Sequence, residues 1–406
     1  MTALRILIDA TMARKGGGFT YLVNLLPRMV EAGPGHRFRV LLRSAELQAS
    51  LPAAGNLEVS LLPEVGLPGR LRFTYGQAAG EAQRWQADVY FAAGDLVPLR
   101  APCPMIASFR NPNVFTELDQ GWYAYQVFRL GMLRALSRVA GRVCDRILFV
   151  SEDSARWIGE RIGLPEHKRA VVHHGIDPSR FAVAPARPLH PRPYVLSVST
   201  IYRYKNFVRL IEAWTELARR RPDAPDLVIV GDDMDPDYSA KMRSARDAAG
   251  ALASRIKLVG EVPYAEVPAW YAGASLFAFP SYLETCGHPL LEAVAADVPI
   301  LAADLPVSRE VAADAALYAD PHDTADWVAA LERALTEDTL REDLRKRGRE
   351  RLTHFTWQAS AQAHLALFDE VVSEASPPRA EAAGGGVPAE ESAGRKPPDR
   401  PTPSTP

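Results

Sequence analysis

The stretch Phe279-Pro280-Ser281-Tyr282-Leu283-Glu284-Thr285-Cys286-Gly287-His288-Pro289-Leu290-Leu291-Glu292-Ala293 changes character twice. An apolar run ends at Pro280, a polar loop follows, and Pro289 suits the first turn of a helix, where a missing N–H costs nothing. That order places Glu284 in the loop, Gly287 at the helix mouth and Glu292 about one turn into the helix, facing back towards the loop. N–H groups around Gly287 and His288 then point at a bound anion, with a carboxylate on either side. Carboxylates beside a phosphate are electrostatically costly, so these two must hold hydroxyls. A sugar and a ribose flanking a diphosphate satisfy all of the groups at once.

Outward from this stretch the chain alternates between short apolar runs and helix-period segments. Buried strands are expected at Arg5–Asp9, Phe38–Leu42, Leu57–Leu62, Asp88–Ala92, Met105–Phe109 and Ile147–Val150, with a helix over Phe19–Val30 after the turn Lys15-Gly16-Gly17-Gly18. Ser151 reads as an N-cap with Glu152 and Asp153 in the following first turn. The Pro-rich run Pro185-Ala186-Arg187-Pro188-Leu189-His190-Pro191-Arg192-Pro193 interrupts the pattern, because proline removes donors and disfavours helix around it. The alternation then restarts, with strands at Tyr194–Val198, Leu227–Val230, Ile256–Val259, Leu276–Phe279 and Pro299–Leu301. Continuous apolar strands between helices indicate parallel sheets buried on both faces.

The expected organisation is an α/β domain over residues 1–185, a linker over 186–193 and a second α/β domain over 194–355. A helix over 356–375 is expected to cross back to the first domain, and residues 376–406 are too poor in core-forming groups to fold. A cleft between the two domains is the natural site.

The whole chain has 406 residues, 47% apolar and 24% charged, which excludes disorder as the general answer. Lys plus Arg number 47 against 49 for Asp plus Glu, a balance that argues against a nucleic-acid binder. Three scattered cysteines, Cys103, Cys144 and Cys286, do not make a disulfide framework and suit a reducing compartment. No apolar run is long enough to span a bilayer, and Met1-Thr2-Ala3-Leu4-Arg5 leads into a strand rather than a signal peptide. A cytoplasmic location is the expectation.

Gly16-Gly17-Gly18, between a strand and a helix, fits either a phosphate cradle or a plain tight turn. The third glycine of the dinucleotide fingerprint is absent, since Tyr21 stands there.

In this context the sequence resembles the retaining glycosyltransferases of family 4, with the GT-B fold of two Rossmann-like α/β domains facing a cleft. Glu284 and Glu292 reproduce the family's E-x7-E motif. Val262-Pro263-Tyr264, Tyr271-Ala272-Gly273-Ala274, Pro280-Ser281, Pro299-Ile300-Leu301 and Glu310-Val311 follow the family in order. Upstream, Ser199-Thr200-Ile201-Tyr202-Arg203-Tyr204-Lys205-Asn206 is similar to its donor-phosphate segment, and His174-Gly175-Ile176-Asp177 to the turn closing the first domain. The resemblance implies that Glu292 accepts from the donor ribose, Glu284 binds the transferred sugar, and Cys286, Gly287 and His288 border the donor. It implies that Lys205 holds the diphosphate with Arg203 as companion, and that Gly17 and Gly18 let the first domain close on the donor. Lys205, Arg203 and Glu284 are therefore the candidate catalytic residues.

Two departures from the family stand out. The arginine often found five residues before the lysine, or directly before it, is replaced by Thr200 or Tyr204. The histidine many members carry after the Met105–Phe109 strand is replaced by Arg110-Asn111-Pro112-Asn113, so no general base is evident. Arg110 and Asn111 are candidate contacts for phosphate or acceptor, a capped turn being the alternative for Asn111.

The implied function is retaining transfer of a hexose or deoxyhexose, with mannose or rhamnose favoured, from a nucleotide-sugar co-substrate to a hydroxyl acceptor. Surface polysaccharide or lipopolysaccharide assembly is its implied setting. No further cofactor, no metal and no nucleic acid are expected. The partners are the donor and a sugar or lipid-linked sugar acceptor. A GT-B sugar-nucleotide epimerase and a non-catalytic nucleotide-sugar-binding module are the alternatives. Asp233-Met234-Asp235-Pro236-Asp237 fits a turn better than a metal site. His173 and His174 are adjacent and diverge, so they read as a turn, and Cys286 receives no nucleophilic role. Over Gly121–Arg142, Arg134, Arg138 and Arg142 share a face among Trp122, Tyr125, Phe128 and Met132. Such a helix fits a solvated core helix or a peripheral contact with the inner face of an anionic membrane.

Overall fold

A computed structural model describes residues 3–13, 16–115, 124–182 and 188–375. Lys15, Gly121, Trp122, the Tyr125 side chain, residues 185–187 of the Pro-rich run and the tail from Ser376 lie outside the described residues. The first half builds a seven-stranded parallel sheet from β1 (Arg5–Asp9), β2 (Arg37–Leu42), β3 (Leu57–Leu61), β4 (Val89–Ala92), β5 (Met105–Ser108), β6 (Arg146–Phe149) and β7 (Arg169–Val171). The second half builds a six-stranded parallel sheet from β8 (Tyr194–Val198), β9 (Asp226–Val230), β10 (Ile256–Gly260), β11 (Leu276–Phe279), β12 (Ile300–Ala303) and β13 (Ala316–Ala319).

The spatial orders are β3-β2-β1-β4-β5-β6-β7 and β10-β9-β8-β11-β12-β13. In each sheet the direction of winding reverses once, at β1/β4 and at β8/β11. Ligands of such sheets bind outside the carboxyl ends of the strands at that reversal. The segments that meet there are residues 10–13 and 93–94 in the first half, and 199–206 and 280–287 in the second. The topology thus brings the two resembling segments of the second half together, although 73 residues of sequence separate Asn206 from Pro280.

The central strands are mainly apolar because helices cover both faces; β4, β5, β9, β11 and β12 are buried at every position, including Asp226 and Ser108 at strand ends. The sequence reading omits β7 and β13. Arg169-Ala170-Val171 is a half-buried edge strand and Ala316-Leu317-Tyr318-Ala319 is short and alanine-rich, so neither offers a continuous apolar run.

The last described helix, Trp357–Ala375, packs on the first, Gly17–Ala32. Trp357, Leu365, Phe368 and Val371 enter the same core as Tyr21, Leu22, Leu25 and Met29. The chain returns to the first half beside the His174-Gly175-Ile176 turn, where Ile176 N–H donates to Phe355 O at 2.9 Å. A Cβ on Gly175 would stand 2.1 Å from Trp357 N, so only glycine permits this crossing.

Candidate functional site

Strand β11 ends at Phe279, and the helix His288–Ala295 starts from Gly287, whose φ of 64° lies in the left-handed region that favours glycine. No side chain caps that helix. Pro289 carries no N–H and Leu290 N–H donates to Gly287 O at 2.8 Å, so the Gly287 and His288 amides are the N–H groups at its mouth. Glu292, one turn in, is 6% exposed. Its Oε2 accepts from the Tyr271 hydroxyl at 3.0 Å, and its Oε1 lies 3.3 Å from His288 Nδ1. Burial and the Glu292 charge together push the Tyr271 phenol well up, so Tyr271 remains a donor.

Glu284 faces the segment after β8. There a short turn, Arg203–Lys205, precedes the helix Phe207–Arg220, with Asn206 at φ 58° between them. Lys205 Nζ lies 2.5 Å from Glu284 Oε1, and neither side chain is more than 9% exposed. The ammonium also lies 5.1 Å from the centroid of the Tyr204 ring. A buried ion pair of this kind is costly to break from one side only.

Arg203 takes a different direction. Its Nε donates to Asp235 Oδ2 at 3.0 Å, and Asp235 also caps the helix Pro236–Ala248 by accepting from Tyr238 N–H. The acidic stretch after β9 therefore serves as helix cap and arginine partner. Among the described residues no group of three or more His, Cys, Asp or Glu side chains is placed to hold a metal ion.

Cys286 Sγ lies 3.6 Å from His174 Nδ1, and burial raises its thiol to about 12, far from the thiolate a nucleophile needs. His174 stacks on Tyr21 at 4.8 Å and faces His288 at 6.0 Å between ring centroids. Burial first, and the charges of His288 and Arg110 next, hold its pKa well below the ordinary imidazole value. His173 turns away to Glu310, Nε2 to Oε1 being 2.7 Å.

In the first half, Gly17 and Gly18 form the first turn of the helix Gly17–Ala32, behind Gly16 at φ 63°. Arg110 follows β5 and lies over the Tyr21 ring at 4.1 Å. Asn111 Oδ1 accepts from Asn113 N–H at 3.1 Å and caps the turn Pro112–Val114. The Asn111 side chain therefore fulfils the turn-capping reading.

The halves touch along the cleft. Ser151 Oγ donates to Thr285 O at 2.6 Å, and Thr285 Oγ1 donates to Arg110 O at 2.8 Å. Glu310 reaches across to accept from Glu152 N–H at 2.7 Å and Asp153 N–H at 3.1 Å, at the mouth of the helix Glu152–Ile162. Tyr264 hydrogen-bonds Thr20. Four side chains of this cleft carry no role in the sequence reading: Tyr271, Tyr264, His174 and Tyr21. Tyr264 and Tyr271 do lie inside the quoted family segments, so a positional signal for them existed.

On the basic helix Ala124–Val143, Arg134 Nε donates inward to Val114 O at 2.9 Å, leaving Arg138 and Arg142 exposed on the face the three were expected to share. Phe128 is 72% exposed. Among the described residues no helix is long and apolar enough to cross a membrane.

Residues 15–180 match the family Glycosyltransferase Family 4, and residues 184–351 match Glycosyl transferases group 1. The Escherichia coli O-antigen chain mannosyltransferase B is 30% identical over 168 residues, 41% of this chain and 42% of that protein. The phosphatidyl-myo-inositol mannosyltransferase of Mycolicibacterium smegmatis is 27% identical over 379 residues, 88% of this chain and 90% of that protein. The Salmonella typhimurium O-antigen chain mannosyltransferase RfbU is 26% identical over 230 residues, 56% of this chain and 61% of that protein. The chain thus spans about half the length of the first curated relatives it matches, and most of the mycobacterial one.

Among solved structures, sucrose-phosphate synthase of Thermosynechococcus elongatus superposes with a TM-score of 0.71 at 16% identity, covering 91% of this chain and all of that one. The Anabaena HepE complex with UDP-glucose gives 0.70 at 16% identity, again over 91% of this chain and all of that one. The fold is GT-B. The chain belongs to the group 1, family 4 glycosyltransferases.

Proposed function

We propose that the protein is an enzyme that transfers a sugar from a nucleotide-sugar donor to a hydroxyl acceptor with retention at the anomeric carbon. The observation that carries this reading is the convergence of Glu284, Lys205 and Glu292 on the open mouth of the His288–Ala295 helix. Hydroxyl-binding carboxylates, a cation and the backbone amides of the Gly287 turn stand in the order a sugar, a diphosphate and a ribose require. In the reaction the bond from anomeric carbon to phosphate oxygen breaks, and its electron pair passes to the diphosphate. The acceptor oxygen bonds to the same face of the sugar, and its proton passes to the departing phosphate. Fixed cations and N–H dipoles matter most where that charge develops.

A mannose donor and an acceptor in surface glycan assembly are supported by the names of the relatives, two O-antigen mannosyltransferases and a phosphatidyl-myo-inositol mannosyltransferase. Exposed Phe128 with Arg138 and Arg142 supports a peripheral contact with an anionic membrane carrying a lipid-linked acceptor. The test is release of nucleoside diphosphate from GDP-mannose, UDP-glucose and dTDP-rhamnose, each with EDTA or magnesium, and anomeric assignment of the product by NMR. Turnover with EDTA and a retained configuration are expected. An inverted product, or activity abolished by EDTA and restored by magnesium, overturns the mechanism.

A further inference from the structure

Most charged groups of the cleft are already matched. Lys205 pairs with Glu284, Arg203 with Asp235, and Glu292 is held by Tyr271 and His288. Among the described residues no carboxylate forms an ion pair with Arg110. It donates from Nη2 to Ala93 O at 2.7 Å and stacks on Tyr21, while its Nε is buried without a partner. Asp95 acts on it only through space, without an ion-pair contact, and burial pushes the Asp95 carboxyl up. A buried charge is normally paired, because desolvation is costly.

What surrounds Arg110 shows where the missing anion belongs. Its Nη2 lies 3.9 Å from the point a Cβ on Gly18 would occupy. The helix Gly17–Ala32 has no side-chain cap and no acidic residue in its first turn. Its first internal bond is Thr20 N–H to Gly16 O at 3.1 Å, so the amides of Gly17, Gly18 and Phe19 have no partner within the helix. From the other half, Thr285 grips the Arg110 carbonyl, which sets the residue against the mouth of the His288–Ala295 helix. Tyr264, bonded to Thr20 on the same first helix, lies close enough to Glu292 to sense its charge. A ribose at Glu292 therefore leads to a diphosphate between the Gly287 turn and the uncapped mouth of the Gly17–Ala32 helix, with Arg110 beside it.

We propose that Arg110 binds the donor diphosphate and stabilises the negative charge that grows on it as the sugar departs. It supplies a cation from the first half to face Lys205 of the second. The proposal rests on the donor-site reading above. The bonds and the proton move as described there, and nothing is oxidised or reduced.

The test uses the full chain and its Arg110→Gln and Arg110→Lys variants. Calorimetry with UDP and GDP is compared with uridine and guanosine, which lack phosphate. Arg110→Gln is expected to weaken the diphosphate that binds wild type by about 10- to 100-fold, as loss of a charge-assisted bond would. Binding of the matching nucleoside is expected to stay unchanged. Turnover at saturating donor is expected to fall by about 10²–10³, with partial recovery in Arg110→Lys. The ligand-free melting temperature is expected to hold or rise, because the change removes an uncompensated buried charge. If Arg110→Gln binds the diphosphate like wild type, or weakens diphosphate and nucleoside alike with a lower melting temperature, Arg110 is structural and the proposal fails. If wild type binds neither UDP nor GDP, the donor-site reading itself fails and takes this proposal with it.

Discussion

The two faces of the cleft are built on opposite electrostatic plans. On the second half Lys205 is paired with Glu284, Arg203 with Asp235, and Glu292 is held by Tyr271. On the first half the groups wait: among the described residues Arg110 forms no ion pair, its Nε is buried without a partner, and the Gly17–Ala32 helix has an uncapped mouth. A face whose charges are matched keeps its geometry without ligand. A face with unmatched groups gains most when an anion arrives. The same residue change should therefore have different costs on the two faces.

The largest effect is expected at Lys205. Lys205→Ala removes the cation and leaves Glu284 buried alone, so turnover should fall by about 10²–10³. Stability in urea should fall too, by about 3–5 kcal/mol, because one partner of a buried pair is stranded. The double change Lys205→Ala, Glu284→Ala should recover much of the stability and none of the turnover. If the single variant is as stable as wild type, the matched-face description is wrong; if it turns over like wild type, Lys205 is not the phosphate cation.

Glu292→Gln comes next. The amide oxygen still accepts from Tyr271, so the fold should hold. The charge-assisted bonds to ribose should weaken, costing about 1.5–3 kcal/mol in donor affinity by calorimetry. Unchanged affinity would remove Glu292 from the donor site.

The smallest effect is expected at the joint between the faces. Burial pushes the Glu310 carboxyl up, but His173 and the N–H groups of Glu152 and Asp153 outweigh it, and the net pKa lies below the ordinary value of 4.5. A carboxyl depressed in the folded state adds stability above its unfolded pKa and loses it as pH falls through the folded one. Glu310→Gln should lower the melting temperature at pH 7 by the loss of about 1–2 kcal/mol, as for a helix cap. The gap from wild type should close as pH drops below about 4.5. A gap that persists at pH 3 would show that Glu310 acts by packing rather than by charge.

Sequence reading reached the second half further than the first, for a physical reason. Glu284, Gly287 and Glu292 belong to one strand–loop–helix unit, so their relative positions follow from local geometry. The Lys205 segment joins them because parallel strands align their carboxyl ends. Arg203 was harder, since its direction is set by Asp235 from the next loop of the sheet, 32 residues on. His174 reads as a turn in sequence; only packing between Tyr21, Trp357 and His288 places its ring in the cleft. The Arg110 position was visible as a departure, but its lack of an ion pair among the described residues is a property of three-dimensional packing.

The crossing at Gly175 reverses the order in which the halves can be completed during synthesis. The core of the first half needs Trp357, Leu365, Phe368 and Val371, which leave the ribosome after every strand of the second sheet. The second half has its full set of strands first, while the nascent first half still shows the apolar groove that the Trp357–Ala375 helix will fill. A chain stalled or truncated before residue 357 therefore exposes the side of Tyr21, Leu25 and Met29 to chaperones and proteases, even though all seven strands of that half have already been made.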